Sequence, residues 1–246
     1  MRIHHLNCAT MCPVGARLIN GNGGLLDAAS MICHCLLVET KAGLVLVDTG
    51  LGTADVADPR RLGGFFKAIT RPRLDPEETA IRQVERLGFK ASDVRHVVVT
   101  HLDLDHAGGL PDFPHAKIHV HGREHDAAMA RQTFMERERY RSVQWAHGPD
   151  WVRHDVEGEP WLGFEAVRNI TGISPEVLLV PLHGHTRGHA GVAVQTSSGW
   201  VLHAGDAYFN RGELDPVSPT CPSGLALFQR IVAVDDDLRR RNQERL

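Results

Sequence analysis

The segment Val97–Gly109, with the sequence VVVTHLDLDHAGG, is the most informative part of this chain. Its three valines are apolar and β-branched, which predicts a buried strand. Two His and two Asp follow within six residues, and a Gly-Gly pair closes the turn. Imidazoles and carboxylates together are ligands of hydrolytic divalent-metal sites. A solvated turn with incidental His is the alternative, but we favour a metal site because all four residues directly follow an apolar strand.

Two later strand ends carry residues of the same kinds. Pro181–His189 (PLHGHTRGH) runs from an apolar strand into a turn rich in Gly and His, and glycines permit tight backbone paths around a site. Trp200–Asp206 (WVLHAGD) ends a third strand with a single carboxylate. Gly-Asp alone is an ordinary turn. Asp206 counts as a candidate because it is the third strand end in one chain that could supply a ligand.

The composition indicates one α/β domain over residues 1–246. A chain of 246 residues with 42% hydrophobic residues can bury a sizeable core, and strands and helices are mixed in a single run. The net charge of -3 gives no sign of a nucleic-acid or membrane partner, and no apolar run approaches the roughly 18 residues that span a bilayer. The N-terminus lacks the long apolar segment of a signal peptide, so a cytoplasmic protein is the default expectation.

Outside the three strand ends, the sequence makes a few further structural predictions. The five Cys are an odd number, which argues against a complete disulfide framework. Cys33 and Cys35 share one face of a predicted strand, and we interpret them as small core residues in preference to a metal or redox site. The pattern predicts a loop over 51–74, one helix from Arg123 to about Trp145, and irregular structure over 147–174.

The motifs resemble, in order along the chain, those of the metallo-β-lactamase-fold hydrolases. Val47–Gly50 (VDTG) resembles the family's first motif, and Thr100–His106 resembles its His-x-His-x-Asp-His motif. Gly184–His189 (GHTRGH) is similar to its Gly-His-Thr-x-Gly-His motif, and Gly205-Asp206 stands where the family has its bridging Asp. Four ordered motifs make this a specific match. Within the family, the closest likeness is to the quorum-quenching N-acyl-homoserine lactone lactonases.

This resemblance implies a metallo-β-lactamase αβ/βα four-layer sandwich, in which two β-sheets pack face to face with helices outside. It also implies two divalent metal ions at one edge of the sandwich, with Zn²⁺ as the favoured ion. The first ion would be held by His101, Asp103 and His185, the second by Asp105 and His106, and Asp206 would bridge both. Asp48 and His189 would orient these ligands without binding metal themselves.

Two departures from the family pattern change what is expected of the site. Asp103 stands where the family has His, and its added charge and oxygen donor would shift the preference toward Mn²⁺ or Fe²⁺ or weaken the first site. The family also has a His ligand after the bridging Asp, and here no His follows His203. Val234–Leu246 is a helix pattern with no Gly or Pro to end it. We therefore expect the natural protein to continue past Leu246 and to carry that His there.

The reaction implied by the resemblance is attack of a metal-activated hydroxide on a carbonyl carbon, which opens a lactone or cleaves a carboxylic ester. Asp105 would hold or accept the proton. Tyr208 would hydrogen-bond the developing oxyanion, with a packed aromatic as the equal alternative. Phe65 and Phe66 would line a pocket for an acyl chain or pack into the core. The expected partner is a small acyl substrate, and the sequence makes no prediction of the oligomeric state.

Other functions stay open at this point. A thioester hydrolase of the glyoxalase II kind would use the same site chemistry. A phosphodiesterase or nuclease is less favoured because the chain shows no basic, aromatic-rich appendage, and a β-lactamase rests on the fold name alone. A flavin-partnered di-iron protein is disfavoured because the chain has no room for a flavodoxin-like domain. A metal-free binding module would leave the ligand-type residues without a role.

Overall fold

Two β-sheets form the centre of the computed structural model, which describes residues 1–155, 158–170, 172–173 and 176–246. Sheet 1 has six strands in sequential order. They are β1 (Arg2–Met11), β2 (Met31–Thr40), β3 (Gly43–Val47), β4 (Val94–Val98), β5 (Lys117–His121) and β6 (Asp150–His154). β1 to β3 pair antiparallel, whereas β3 to β6 pair parallel. The carboxyl ends of the parallel strands therefore meet at one edge of the sheet, where their connections can share a site.

Sheet 2 has five antiparallel strands in the order β11-β10-β9-β8-β7. They are β7 (Glu159–Trp161), β8 (Phe164–Asn169), β9 (Val177–Pro181), β10 (Ala190–Thr196) and β11 (Gly199–His203). β10 and β11 form a tight hairpin in which Thr196 pairs with Gly199. Gly199 has a φ of +126°, which an L side chain rarely adopts, so a glycine belongs in this turn.

The two sheets pack face to face through alternate residues of their strands. Leu36, Val45 and Val98 of sheet 1 share a buried cluster with Leu179 and Val192 of sheet 2. Successive side chains of a strand point to opposite faces, so the intervening residues of sheet 1 point away from sheet 2. The central strands are apolar at consecutive positions because both of their faces are covered.

Helices cover the outer faces of both sheets. The helices are α1 (Ala16–Ile19), α2 (Thr53–Ala57), α3 (Gly64–Thr70), α4 (Ala80–Arg86), α5 (Gly122–Ala130), α6 (Phe134–Arg139), α7 (Ser223–Val232) and α8 (Asp236–Gln243). On sheet 1, Leu46 and Val97 pack with Val84 of α4 and Ala128 of α5. On sheet 2, Val180 and Ala204 belong to a cluster that Leu246, just after α8, packs against. The order helix, sheet, sheet, helix confirms the predicted four-layer α/β sandwich.

Three of the local predictions are wrong. The range 147–174 contains β6, β7 and β8, although residues 156, 157, 171 and 174 lie outside the described residues. The single helix from Arg123 to Trp145 is broken into α5 and α6 by Arg131, whose φ of 41° is left-handed. The predicted loop over 51–74 contains α2 and α3.

The prediction for the cysteines is confirmed. Cys33 and Cys35 are buried and free, with 2% and 1% of their surface exposed. Cys35 packs in the core of sheet 1, and Cys33 packs in a smaller cluster beside it. Among the described residues, no helix is both long and apolar enough to cross a membrane.

Candidate metal centre

A first group of ligand atoms converges at the edge where the loop after β4 meets the loop after β9. Asp103 Oδ2 lies 3.5 Å from His101 Nε2 and 3.1 Å from His185 Nε2. One ligand atom from each of the three residues lies within 4.8 Å of the others. The three residues are buried, and they come from motifs more than 80 positions apart in the chain: Asp103 and His185 are separated by 82 residues.

A second group forms around Asp206, which follows β11 in a 3-10 turn. Asp206 Oδ1 lies 3.3 Å from His106 Nε2, while Asp206 Oδ2 lies 3.3 Å from His185 Nε2 and 3.8 Å from His101 Nε2. The two oxygens of one carboxylate thus face different imidazoles. This is the arrangement expected of a carboxylate placed between two cation positions.

The residues present fit a metal ion. In a tetrahedral site with bonds of about 2.0–2.1 Å, neighbouring N and O ligands lie about 3.3 Å apart, which matches the spacings around Asp103 and Asp206. His101 Nε2 is buried and has no hydrogen-bond partner among the described residues. A buried imidazole nitrogen that lacks a partner is costly unless an ion or water satisfies it. His101 Nε2 faces the carboxylates of Asp103 and Asp206.

Asp48 holds one side of this centre together. Its carboxylate accepts hydrogen bonds from Thr100 N at 2.7 Å, from Thr100 Oγ1 at 2.7 Å and from His106 Nδ1 at 2.9 Å. The bond to Nδ1 leaves the Nε2 lone pair of His106 free for the side of Asp206. Asp48 has a φ of 56°, a left-handed conformation that is uncommon outside glycine and fits a residue fixed by function.

The charges around His106 favour its protonated form when no cation is bound. Burial opposes a charge on this imidazole, but the carboxylates of Asp206 and Asp48 outweigh burial and hold its pKa well above the ordinary value. In the same way, burial opposes a charge on Asp48, but His106 outweighs it and lowers the pKa of that carboxyl. A site that attracts a proton this strongly also attracts a metal cation.

His189 positions Asp206 and lies behind the ligand atoms. Its Nδ1 donates to Leu182 O at 2.8 Å, and its Nε2 accepts from the backbone N–H of Asp206 at 2.9 Å. Both ring nitrogens are therefore occupied. A Cβ added to Gly205, which has a φ of +53°, would lie 2.6 Å from His189 Nε2, so a glycine is required for this close approach.

Asp105 stands apart from both ligand groups. Its Oδ2 accepts a long contact from Cys33 Sγ at 3.8 Å, and its carboxylate belongs to neither cluster of atoms found among the described residues. Burial raises the pKa of Asp105, with Asp206 and Asp103 adding to this effect. Asp105 does line the same cavity as Asp103, His106 and Asp206.

Sequence reasoning missed Glu124 of α5, a fully buried residue that joins the two ligand loops. Its Oε1 accepts from Leu102 N at 3.0 Å and from Tyr140 Oη at 3.1 Å. Its Oε2 accepts from Thr186 Oγ1 at 2.6 Å and from Gly188 N at 3.0 Å. The sequence signal that could have identified Glu124 is its position as a single acidic residue on the helix face that carries Ala127 and Ala128.

Sequence reasoning also missed Arg139 of α6. Its Nε and Nη2 donate to the two oxygens of Asp103 at 2.7 and 2.6 Å. Burial opposes the charge on Asp103, but Arg139 outweighs it and holds the pKa of this carboxyl well below its usual range. No sequence signal distinguishes Arg139 from its neighbours Arg137 and Arg141, because the pairing is made across 36 residues.

A cavity of about 360 Å³ opens beside the ligand atoms. Its wall includes Asp103, Asp105, His106, His185 and Asp206, and its remaining surface is mainly apolar. The apolar part is formed by side chains from several elements, among them Met31, Ile32, Phe65, Phe66, Phe209 and Phe228. Tyr208 also lines it, and burial raises the pKa of this phenol. Phe65 and Phe66 thus reach the cavity, which favours the pocket interpretation over the core interpretation.

Comparison with known proteins gives one family and a set of relatives. The model of the metallo-beta-lactamase superfamily matches residues 30–238. A probable metallo-hydrolase of Mycobacterium tuberculosis is 46% identical over 246 residues, which is 100% of this chain and 74% of the relative. An N-acyl homoserine lactonase of Bacillus thuringiensis is 27% identical over 187 residues, which is 75% of this chain and 67% of the relative.

Solved structures show the same fold at lower identity. An N-acyl homoserine lactone hydrolase, with N-hexanoyl-L-homoserine bound at its catalytic metal centre, superposes with a TM-score of 0.73 at 22% identity and covers 99% of this chain and 86% of its own. A dizinc quorum-quenching lactonase superposes with a TM-score of 0.61 at 16% identity and covers 98% of this chain and 81% of its own. At these identities, the likeness shows the fold.

Proposed function

The chain belongs to the metallo-beta-lactamase superfamily, and we propose that this metal-dependent hydrolase opens lactones or cleaves carboxylic esters. One observation carries the proposal: three imidazoles and two carboxylates converge beside a mainly apolar cavity. The imidazoles come from His101, His106 and His185, and the carboxylates from Asp103 and Asp206. A hydrolytic centre joined to an apolar cavity suits a substrate with a carbonyl group and an acyl chain.

We propose that the centre takes two divalent ions. His101, Asp103 and His185 would hold the first, Asp105 and His106 the second, and Asp206 would bind both. Zn²⁺ is the favoured ion, with Mn²⁺ or Fe²⁺ as alternatives because two or more oxygen donors surround each position. When bound, such ions acidify a water molecule and polarise a carbonyl oxygen.

The protein's own residues would supply positioning and proton transfer. Asp48 and His189 fix the orientation of His106 and Asp206 through the hydrogen bonds at 2.9 Å described above. Asp105 would hold the proton released when water adds to the carbonyl, since it lines the cavity beside the ligand atoms. Tyr208, which is half-buried in the cavity wall, would donate a hydrogen bond to the oxyanion that develops.

The acyl chain would lie against the apolar wall of the cavity. Phe65 and Phe66 of α3 belong to this wall, together with Phe209 and Phe228. Burying the chain there removes apolar surface from water, which is worth about 25 cal/mol per Å². The 27% identical relative is an N-acyl homoserine lactonase, so we take N-acyl homoserine lactones as the first substrates to test and quorum quenching as the biological consequence.

The test is a substrate panel on the metal-loaded protein. N-hexanoyl and N-decanoyl homoserine lactones, a carboxylic ester, a thioester, a phosphodiester and a cephalosporin are compared at equal concentration. We expect turnover of lactone or ester, loss of turnover in His185→Ala, and recovery of chelator-treated protein when Zn²⁺ is returned. Turnover of the thioester alone would replace the proposal with a glyoxalase II-like function. Turnover of the phosphodiester and of no acyl compound would overturn it.

A further inference from the structure

The carboxylate at position 103 is paired with a buried guanidinium. Arg139 Nε donates to Asp103 Oδ1 at 2.7 Å and Arg139 Nη2 donates to Asp103 Oδ2 at 2.6 Å, so the pair is bidentate. The side chains of Arg139 and Asp103 are 13% and 12% exposed. A bidentate fork fixes both the position and the rotation of a carboxylate, which a single hydrogen bond does not.

The fold holds Arg139 in this place from several directions. Its Nη1 donates to His185 O at 3.3 Å and to Val232 O at 3.1 Å. Helix α6, which carries it, begins with a capping box in which Thr133 and Glu136 bond to each other's backbone N–H groups. Glu136 in turn accepts from Arg187 Nε at 2.8 Å, and Arg187 lies in the loop of His185. Arg139 is therefore part of the centre's framework and does not extend freely into solvent.

The charges of the pair cancel. The motif that Thr100–His106 resembles has a neutral imidazole at position 103, whereas this chain has a carboxylate with one negative charge. The positive charge of Arg139 brings the net charge of the Asp103–Arg139 pair to zero. Asp103 Oδ2 keeps its position toward the ligand group, 3.5 Å from His101 Nε2 and 3.1 Å from His185 Nε2. A bound carboxylate oxygen has a second lone pair, so it can accept from a guanidinium and still face a cation.

We propose that Asp103 and Arg139 form one charge-neutral unit that takes the place of a neutral His ligand in the first metal position. Asp103 supplies the ligand atom. Arg139 is a positioning residue that sets the rotation of Asp103 and cancels its charge. This inference rests on the proposed metal centre, but it concerns metal binding and folding alone and does not depend on which substrate is turned over.

The test is a double-mutant cycle with Asp103→His, Arg139→Met and the double variant. Metal content after dialysis and metal affinity are measured by elemental analysis and chelator competition, and the melting temperature is measured on metal-free protein. We expect Asp103→His alone to weaken metal affinity about 10- to 100-fold, although it restores the family's ligand, because it leaves the cationic Arg139 unpaired beside the ion. Arg139→Met removes the bidentate guanidinium partner of Asp103, and it should lower the melting temperature of the metal-free protein.

The double variant is the decisive sample. It has a neutral imidazole and no unpaired charge. We therefore expect its metal content and melting temperature to lie closer to wild type than the summed effects of the two single variants predict. Wild-type values in Asp103→His alone, or no recovery in the double variant, would overturn the proposal. Arg137→Met, an exposed change on the same helix, is the matched control and should leave both quantities unchanged.

A conservative variant covers the case in which Arg139→Met does not fold. Arg139→Lys keeps the charge but loses the fork, so its metal affinity should be weakened less than tenfold while the melting temperature of the metal-free form stays close to wild type. A loss of metal affinity in Arg139→Lys as large as in Asp103→His would contradict charge cancellation. A protein that binds metal as expected here but turns over no acyl substrate would refute the proposed function alone.

Discussion

Replacing Glu124 with Gln should destabilise the protein far more than its single-atom change suggests. The carboxylate accepts four hydrogen bonds, from Leu102 N, Tyr140 Oη, Thr186 Oγ1 and Gly188 N. A Gln amide keeps one oxygen and turns an NH₂ donor toward one backbone N–H and one hydroxyl; the hydroxyl can rotate to accept, but the N–H cannot. Hydrogen bonds to charged groups contribute about 1.5–3 kcal/mol each, so losing the bond from the backbone N–H should lower the free energy of unfolding by about 2 kcal/mol.

The assay for Glu124→Gln is urea denaturation of the metal-free protein, followed by metal titration of the variant. Because two of the four bonds belong to the loop that carries His185, we also expect weaker metal binding, by about tenfold or more. Glu85→Gln, which changes an exposed residue of α4, is the matched control and should fall within about 0.5 kcal/mol of wild type. A loss of less than about 1 kcal/mol in Glu124→Gln would refute the idea that this carboxylate ties the two loops together.

Three further outcomes follow from the structure. Burial lowers the pKa of His119 to about 3, whereas the ring has a pKa of about 6.5 in the unfolded chain. Below pH 6.5 the unfolded chain is protonated at His119 and the folded chain is not, so the folded protein loses stability as the pH falls from about 6.5 toward about 3. His119→Asn should therefore remove about 2 kcal/mol of the stability difference between pH 7.5 and pH 5 in denaturation of metal-free protein, and an unchanged difference would contradict this reasoning. Asp48→Asn should weaken metal affinity about 10- to 100-fold in chelator competition, and unchanged affinity would show that His106 needs no orienting carboxylate. Removing metal with a chelator should lower the melting temperature. The loss of stability should be about 2.7 kcal/mol relative to protein at a free metal concentration 100 times the Kd, and an unchanged melting temperature would contradict a metal centre.

The part of the site that is local in sequence could be predicted, and the part made by tertiary contact could not. Val97–Gly109 carries its strand, its candidate ligands and its turn within one short stretch, so pattern and composition were enough. Glu124 and Arg139 act on that stretch from helices whose sequences look like ordinary polar surface. Their roles exist only once α5 and α6 lie beside the ligand loops, and no periodicity encodes that.

The failed secondary-structure predictions have similar causes. β7 has Pro160 in its middle, and a proline normally argues against a strand, although an edge strand tolerates one. The break between α5 and α6 lies at Arg131, where nothing in the residue type indicates a left-handed φ of 41°. Tertiary packing decides both positions, and single-sequence patterns do not include it.

The candidate ligands come from both sheets, which has a consequence for the order in which the protein is made. His101 and His106 follow β4 of sheet 1, whereas His185 and Asp206 follow β9 and β11 of sheet 2. A nascent chain that has folded only through sheet 1 holds two imidazoles and lacks the carboxylate that faces them both. If these residues bind metal as proposed, tight metal uptake would then wait until residue 206 has left the ribosome and sheet 2 has docked. A loaded centre would thereby mark a chain whose two halves have been assembled.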